Sequence, residues 1–385
     1  MKYVIAMTIL FRYTCLLLRQ IHIMKLALFV LALCSPLVFF ASQPAFDVVM
    51  RCVEADSSVH YQDEKHLENV RQLTFGGDNA EAYFSNDGKL ISWQKTNPAE
   101  NIPCDQIFVS DISGKLSPKL VSTGKGRTTC AYVLAGNKEV LYASTHLASD
   151  ACPTPPDKKK IGKYVWSIDE SYDIFVADMN GKITRQLTKT PGYDAEATLS
   201  PKGDKIVFTS MRSGDLELYT MNIDGSGVKQ VTHDLGYDGG AFFSPDGKSL
   251  VFRASRPQTE EEVSEYKALL AQHLVAPTHM ELFTCTVDGS NLKQLTKLGG
   301  ANWAPYFHRS GKKILFASNH QYPRGFPFNL YLINVDGTGL ERVTHDGTFD
   351  AFPMFSPDGK QLIFASNRNN GGTHDTNLFI ADWKE

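Results

Sequence analysis

The chain has 385 residues, 42% of them apolar and 21% charged, with a formal net charge of −3. That length allows one large domain or two ordinary ones. The near balance of charge gives no electrostatic footprint of the basic face that nucleic-acid binding needs, so no nucleic-acid partner is expected.

Residues 4–18 are apolar but broken by Arg12, and a second apolar run, 26–40, follows Met24 and Lys25. The second run is shorter than the roughly 20 residues of a membrane span. A lysine, an apolar run and then ASQPA make the layout of a secretory signal peptide. Residues 1–45 are therefore expected to be a signal peptide whose true start is Met24. Phe39 and Phe40 leave the cleavage point open. An uncleaved anchor is the alternative, and it is the only membrane contact expected. Residues 46–66 form an N-terminal extension. Export predicts a periplasmic or secreted protein in an oxidising compartment. Cys52, Cys104, Cys130, Cys152 and Cys285 remain after cleavage, an odd number that cannot all pair within one chain. Cys285 alternates within a strand pattern as a core thiol. Cys104, Cys130 and Cys152 are the disulfide candidates, with Cys152 as one end and its partner left open.

From residue 67 the chain repeats a phrase. FSPDGKSLVF at 243–252 returns as FSPDGKQLIF at 355–364, with looser copies at 83–92 and 198–208. Pro presets the first central turn position, Asp favours the next, and Gly tolerates positive φ. Apolar alternation on both sides makes the phrase a strand–turn–strand. A second phrase follows: LYTMNIDGSGVKQVT at 218–232, LFTCTVDGSNLKQLT at 282–296 and LYLINVDGTGLERVT at 330–344. Asp-Gly again turns one strand into the next. One unit is thus four strands, A to D, ending in a Leu/Val-Thr pair.

The A strands fall at 82–84, 131–133, 197–199, 241–243, 305–307 and 353–355, which makes six units. Units of this period and strand count predict an all-β fold, a six-bladed β-propeller over 67–385. Insertions at about 147–171 and 257–278 interrupt it. The last unit has no strand D, whereas ENVRQLT at 68–74 reads as an unattached one. The N-terminal strand should therefore complete the last blade, beside residues 378–382, and hide its edge.

These phrases resemble the WD40-like PD40 repeats of the TolB propeller family, in register over roughly 67–385. The resemblance implies a periplasmic propeller that serves as a docking platform for partner proteins, with a peptidoglycan-associated lipoprotein as the family's partner. TolB proper carries an α/β domain before its propeller. Only about 25 residues separate the apolar run from the first strand here, so the chain is expected to be TolB-like without the α/β domain of TolB proper. No Gly-x-Ser-x-Gly elbow of a fused peptidase is present.

Aligned strand A starts give a column, Asn79, Thr128, Asp194, Asp238, Asn302 and Asp350, expected to ring one mouth of the channel, with Trp303 following Asn302. Asp194, Asp238 and Asp350 there can hold Ca²⁺ or a cationic partner group; no other cofactor is expected. Two residues on, Glu81 and Glu196 add acid in a column completed by Cys130, Gly240, Ala304 and Phe352. Strand B ends in His146, Arg212, Arg256, His320 and Arg368, with Lys95 in the same place in blade 1. Two compatible readings stand, Asp–Arg pairs that tie each blade together or a ligand site lined by both signs.

Within 257–278, Thr259 and Glu262 form a capping box, and Val263, Tyr266, Leu269, Leu270 and Leu274 form a helical stripe. A helix of about four turns is expected to hang over the mouth. The leading reading is an exported, monomeric, non-catalytic docking platform for a protein or cell-envelope ligand, such as a lipoprotein. One alternative is a metal-dependent carbohydrate lyase or hydrolase using His146, His320, Glu196 and Arg212. The other is an accessory propeller of a separately encoded peptidase.

Overall fold

The structure, a computed structural model, describes residues 59–113, 117–322, 325 and 327–385. The expectations for the signal peptide, the start at Met24 and Cys52 lie outside these residues.

The repeating phrase folds as its residues dictate. In FSPDGK the Ser244 hydroxyl donates to Asp246 Oδ1 at 2.6 Å, and the same carboxylate accepts the Lys248 N–H at 3.1 Å. Gly247 takes φ 72°, a left-handed conformation that suits glycine. Ser85 with Asp87 and Ser356 with Asp358 repeat the bond. The threonine that ends each unit also has a task. Thr232, Thr296 and Thr344 accept the N–H groups of the second residues of their own third strands, Leu218, Leu282 and Leu330, at 2.8–2.9 Å. This hydroxyl extends the ladder where the short fourth strand stops.

Six four-stranded antiparallel sheets result. Their innermost strands are Asp78–Phe84, Thr128–Val133, Asp194–Leu199, Asp238–Phe243, Asn302–Phe307 and Asp350–Phe355, for blades 1 to 6. Consecutive blades pack face to face, and the first packs on the sixth. Between them lie fully buried phenylalanines such as Phe208, Phe252, Phe316 and Phe364. Each contributes about 1.5–3 kcal/mol through its burial. The ring closes as the missing strand predicts: Leu67–Gln72 pairs antiparallel with Asn377–Trp383, Leu67 opposite Trp383 and Gln72 opposite Phe379.

All six innermost strands carry a bulge at the same place. Glu81, Cys130, Glu196, Gly240, Ala304 and Phe352 have φ between 47° and 59°. The ladder register shifts across each of them. Beyond the bulges, aromatic rings fill the channel. Tyr83 stacks on Tyr132 at 4.7 Å and meets Phe242, on the opposite blade, at 5.9 Å; Phe242 meets Tyr306 at 5.2 Å. The channel is therefore a blind well.

Two insertions leave the ring. That of blade 2 holds a short helix, α1 (Lys158–Ile161), and that of blade 4 a longer one, α2 (Glu260–Leu270). The Thr259–Glu262 capping box forms, and Tyr266 and Leu269 are buried. At 11 residues α2 is nearer three turns than four, because Ala271 ends it and Leu274 joins a strand instead. That strand, Leu274–Val275, pairs with Trp166–Ser167, so the two insertions form one ribbon.

Candidate functional site

The bulges decide which side chains face the well. A strand alternates sides residue by residue, so the column at the strand starts points into its own blade. Asn79, Thr128, Asp238, Asn302 and Asp350 are fully buried there, and Asp194 nearly so. Asp194 accepts Arg212 at 2.9 Å through both oxygens, Asp238 accepts Arg256 at 3.0 Å, and Asp350 accepts Arg368 at 3.1 Å. Each arginine also stacks on aromatic rings of its own blade, Arg212 on Phe208 and Tyr219, Arg368 on Phe364 and Phe379.

The expected calcium site does not assemble. Asp194, Asp238 and Asp350 are each neutralised within a separate blade, and no group of three or more His, Cys, Asp or Glu placed to hold a metal exists among the described residues. The catalytic set of the lyase reading is likewise dispersed. His146 Nδ1 contacts Ser144 Oγ at 2.9 Å and its ring lies on Phe175; His320 Nδ1 contacts Ser318 Oγ at 2.9 Å and lies on Tyr331. They occupy the arginine position of blades 2 and 5, opposite each other in the ring. Burial lowers both imidazole pKa values. Arg212 is spent on Asp194, and Lys95 pairs with Glu100 at 2.6 Å.

The open mouth is lined instead by the neighbours of that column. Asp78, Arg127, Tyr193, Tyr237 and Phe349 precede it, and Thr129 and Trp303 follow it. With Glu81, Glu196 and Phe352 from the bulges they surround a cavity of about 1210 Å³. The lining is polarised. Asp78, Glu81 and Asp105 lie on the blade 1 side, while rings dominate blades 3 to 6. Burial raises the carboxyl pKa of Glu81, and Cys130 Sγ contacts its Oε2 at 2.9 Å. Asp105, raised in the same way, accepts Thr96 Oγ1 at 2.8 Å, with Arg127 Nε 3.8 Å away.

One cluster joins the insertions to the ring. Glu196 accepts Arg253 at 2.7 Å, the Gly240 N–H at 2.7 Å and the Tyr237 hydroxyl. Trp166, from the blade 2 insertion, lies 5.3 Å from the Arg253 guanidinium and 5.2 Å from Trp303. The glycine pair of blade 4 makes this fit, since a Cβ on Gly240 would sit 1.9 Å from Arg253 Nη1. Arg253 stands where the other repeats have Gln94, Ala143, Thr209, Ala317 and Ala365, none of them charged. That break in the repeat is the signal by which the cluster could have been found.

Of the disulfide candidates, Cys104 bonds Cys152, while Cys130 and Cys285 are free and buried. Blade 2's insertion supplies Pro153, Pro155, Pro156 and residues 164–169 to the wall. The helix expected over the mouth is elsewhere. No residue of 257–278 lines the cavity. Leu269 and Leu274 pack on Val165, and Tyr266 reaches Asp215 of blade 3, so α2 buttresses the wall from behind.

Fold and site together define a six-bladed propeller with one open well, its wall thickened by two paired insertions. The chain is TolB-like: residues 138–279, from blade 2 to blade 4, match the PD40 family, the TolB beta propeller domain. A protein assigned as TolB from Agrobacterium tumefaciens shares 20% identity at a TM-score of 0.52, over 80% of this chain and 91% of its own. TolB from Acinetobacter baumannii shares 19% at 0.52, over 78% of this chain and 65% of its own, so the chain spans less than two thirds of that relative. An oligogalacturonate lyase in complex with manganese shares 16% at a TM-score of 0.47, over 84% and 96%.

Proposed function

We propose that this chain is an exported docking propeller that works in the periplasm or outside the cell and receives a protruding segment of an envelope protein in its well. The supporting observation is the well itself. It is about 1210 Å³ in volume, blind at its far end, and walled by rings, carboxylates and arginines already fixed by partners. Pre-ordered walls of this kind lower the entropy that binding must offset. The TolB resemblance implies the partner class, a cell-envelope lipoprotein, and a monomeric receptor.

The test is site-specific photo-crosslinking in the native envelope. A photoreactive residue at Tyr164, exposed at the rim of the well, should trap a discrete partner. The same residue at Val228, exposed on the outer strand side of blade 3, should not. No product from Tyr164, or identical products from both positions, would sink this reading.

A further inference from the structure

Cys104 lies in the third strand of blade 1, Ile102–Asp111, and Cys152 lies 48 residues on, in the insertion of blade 2. That insertion has two halves with different anchors. Residues 164–169 are held without covalent help. Trp166 and Ser167 pair with α2's flanking strand, the Ile168 N–H donates to His273 O at 2.8 Å, and Val165 is buried against Leu269 and Leu274. Ile161 packs on the same cluster and secures α1.

Residues 147–157 have few such ties. The Gly126 N–H donates to Asp150 O at 3.0 Å, and Lys125 pairs with Asp150 at 2.8 Å, both side chains more than half exposed. Exposed pairs of this kind contribute little. Yet this stretch carries Pro153, Pro155 and Pro156, which form one wall of the well. Its firm attachment to the ring is the disulfide.

The two sulfurs are not equivalent. Cys104 is 3% exposed, whereas Cys152 is only partly buried. Cys104 Sγ lies 3.1 Å from the Gly126 carbonyl oxygen. Within the disulfide it has no proton to give, but as a thiol it becomes a donor to that oxygen. The reduced state thus leaves no buried thiol without a partner.

We propose that the Cys104–Cys152 bond is a redox-controlled clasp on the well: its reduction frees residues 147–157 and withdraws the proline wall, while residues 164–169 and the blades stay in place. The reductant is a dithiol. One of its thiolates attacks Cys152 Sγ, and Cys104 departs as a thiolate and takes up a proton. The second thiolate then closes the reductant's own disulfide and releases Cys152, which is protonated in turn. Two electrons and two protons pass to the protein, and the reductant ends oxidised. The clasp operates whatever ligand the well takes.

Hydrogen–deuterium exchange on the full chain tests it, comparing oxidised protein, protein reduced with dithiothreitol, and the Cys104→Ser/Cys152→Ser variant. Amides in 147–157 should exchange faster by on the order of tenfold or more in the reduced protein and in the variant, as local opening without a cross-link predicts. Residues 164–169 and the innermost strands should keep their protection, and reoxidation should restore 147–157. Unchanged exchange in 147–157 would overturn the proposal. So would loss of protection across the blades, which would make the bond a staple of the whole fold.

Discussion

Blades 3, 4 and 6 differ from blades 2 and 5 at one geometric position. In the first group an aspartate opens the innermost strand and an arginine ends the second, as in Asp194–Arg212, Asp238–Arg256 and Asp350–Arg368. In the second group a neutral residue, Thr128 or Asn302, replaces the aspartate and a histidine the arginine; Ser318 bridges Asn302 and His320, while Ser144 contacts His146 and Thr128 donates to Asp105 O. The two halves of the pair change together within one chain. Burying an aspartate requires a partner that stays charged, and arginine is the side chain that does so in a buried setting. Where the carboxylate is absent, a neutral imidazole packed at a tilt against Phe175 or Tyr331 suffices. The position therefore belongs to the architecture of the blade, and the side chains that line the well lie one residue to either side of it.

Arg368→Ala should break this comparison most visibly. It leaves Glu64 and Asp350, both fully buried, without their cation, at a cost of about 3–5 kcal/mol in urea unfolding. Arg212→Ala should cost less, about 1–3 kcal/mol, because its side chain is 17% exposed and water can reach the vacated site. His320→Ala should cost about 1 kcal/mol or less, since Ser318 still holds Asn302 at 2.7 Å. A loss at His320 as large as that at Arg368 would show that the histidine blades carry more than ring packing.

The same comparison has a pH arm. Burial and the neighbouring Asp350 raise the Asp346 pKa from 3.8 to about 7. A carboxyl raised on folding contributes stability that is complete below its unfolded pKa and is lost as pH rises through the folded value. Stability should therefore decline between about pH 4 and pH 7, and Asp346→Asn should flatten that decline in unfolding curves taken across this window. Smallest of all, Lys163→Ala removes an exposed pair with Glu265 and should change stability by at most about 0.5 kcal/mol. A larger loss would mean that the paired insertions lean on this contact more than on Val165, Leu269 and Leu274.

The blades were legible because their signals are local. Ser-Pro-Asp-Gly makes its own turn, and alternation reads directly as strand. The closing strand was legible by subtraction, since the last unit lacked a fourth strand and the first had one to spare. The well was harder to read. Asp78, Arg127, Tyr193, Tyr237 and Phe349 are acid, base and ring in turn, so they form no column of one chemistry, whereas the column beside them repeats aspartate in three of six blades. The bulge at Glu81 and its equivalents also adds a residue that simple alternation does not count. The ribbon of Trp166–Ser167 with Leu274–Val275 joins two residues to two across more than a hundred positions, with no local signature.

The pairing of Leu67–Gln72 with Asn377–Trp383 also sets the order of assembly. Blades 1 to 5 are each built from neighbouring stretches and can form as the chain emerges. Blade 6 waits for both ends. Its loop-closure entropy is the largest in the molecule, although that penalty grows only logarithmically with length. Folding should therefore finish at this seam, and substitutions in the first strand should speed unfolding more than they slow folding.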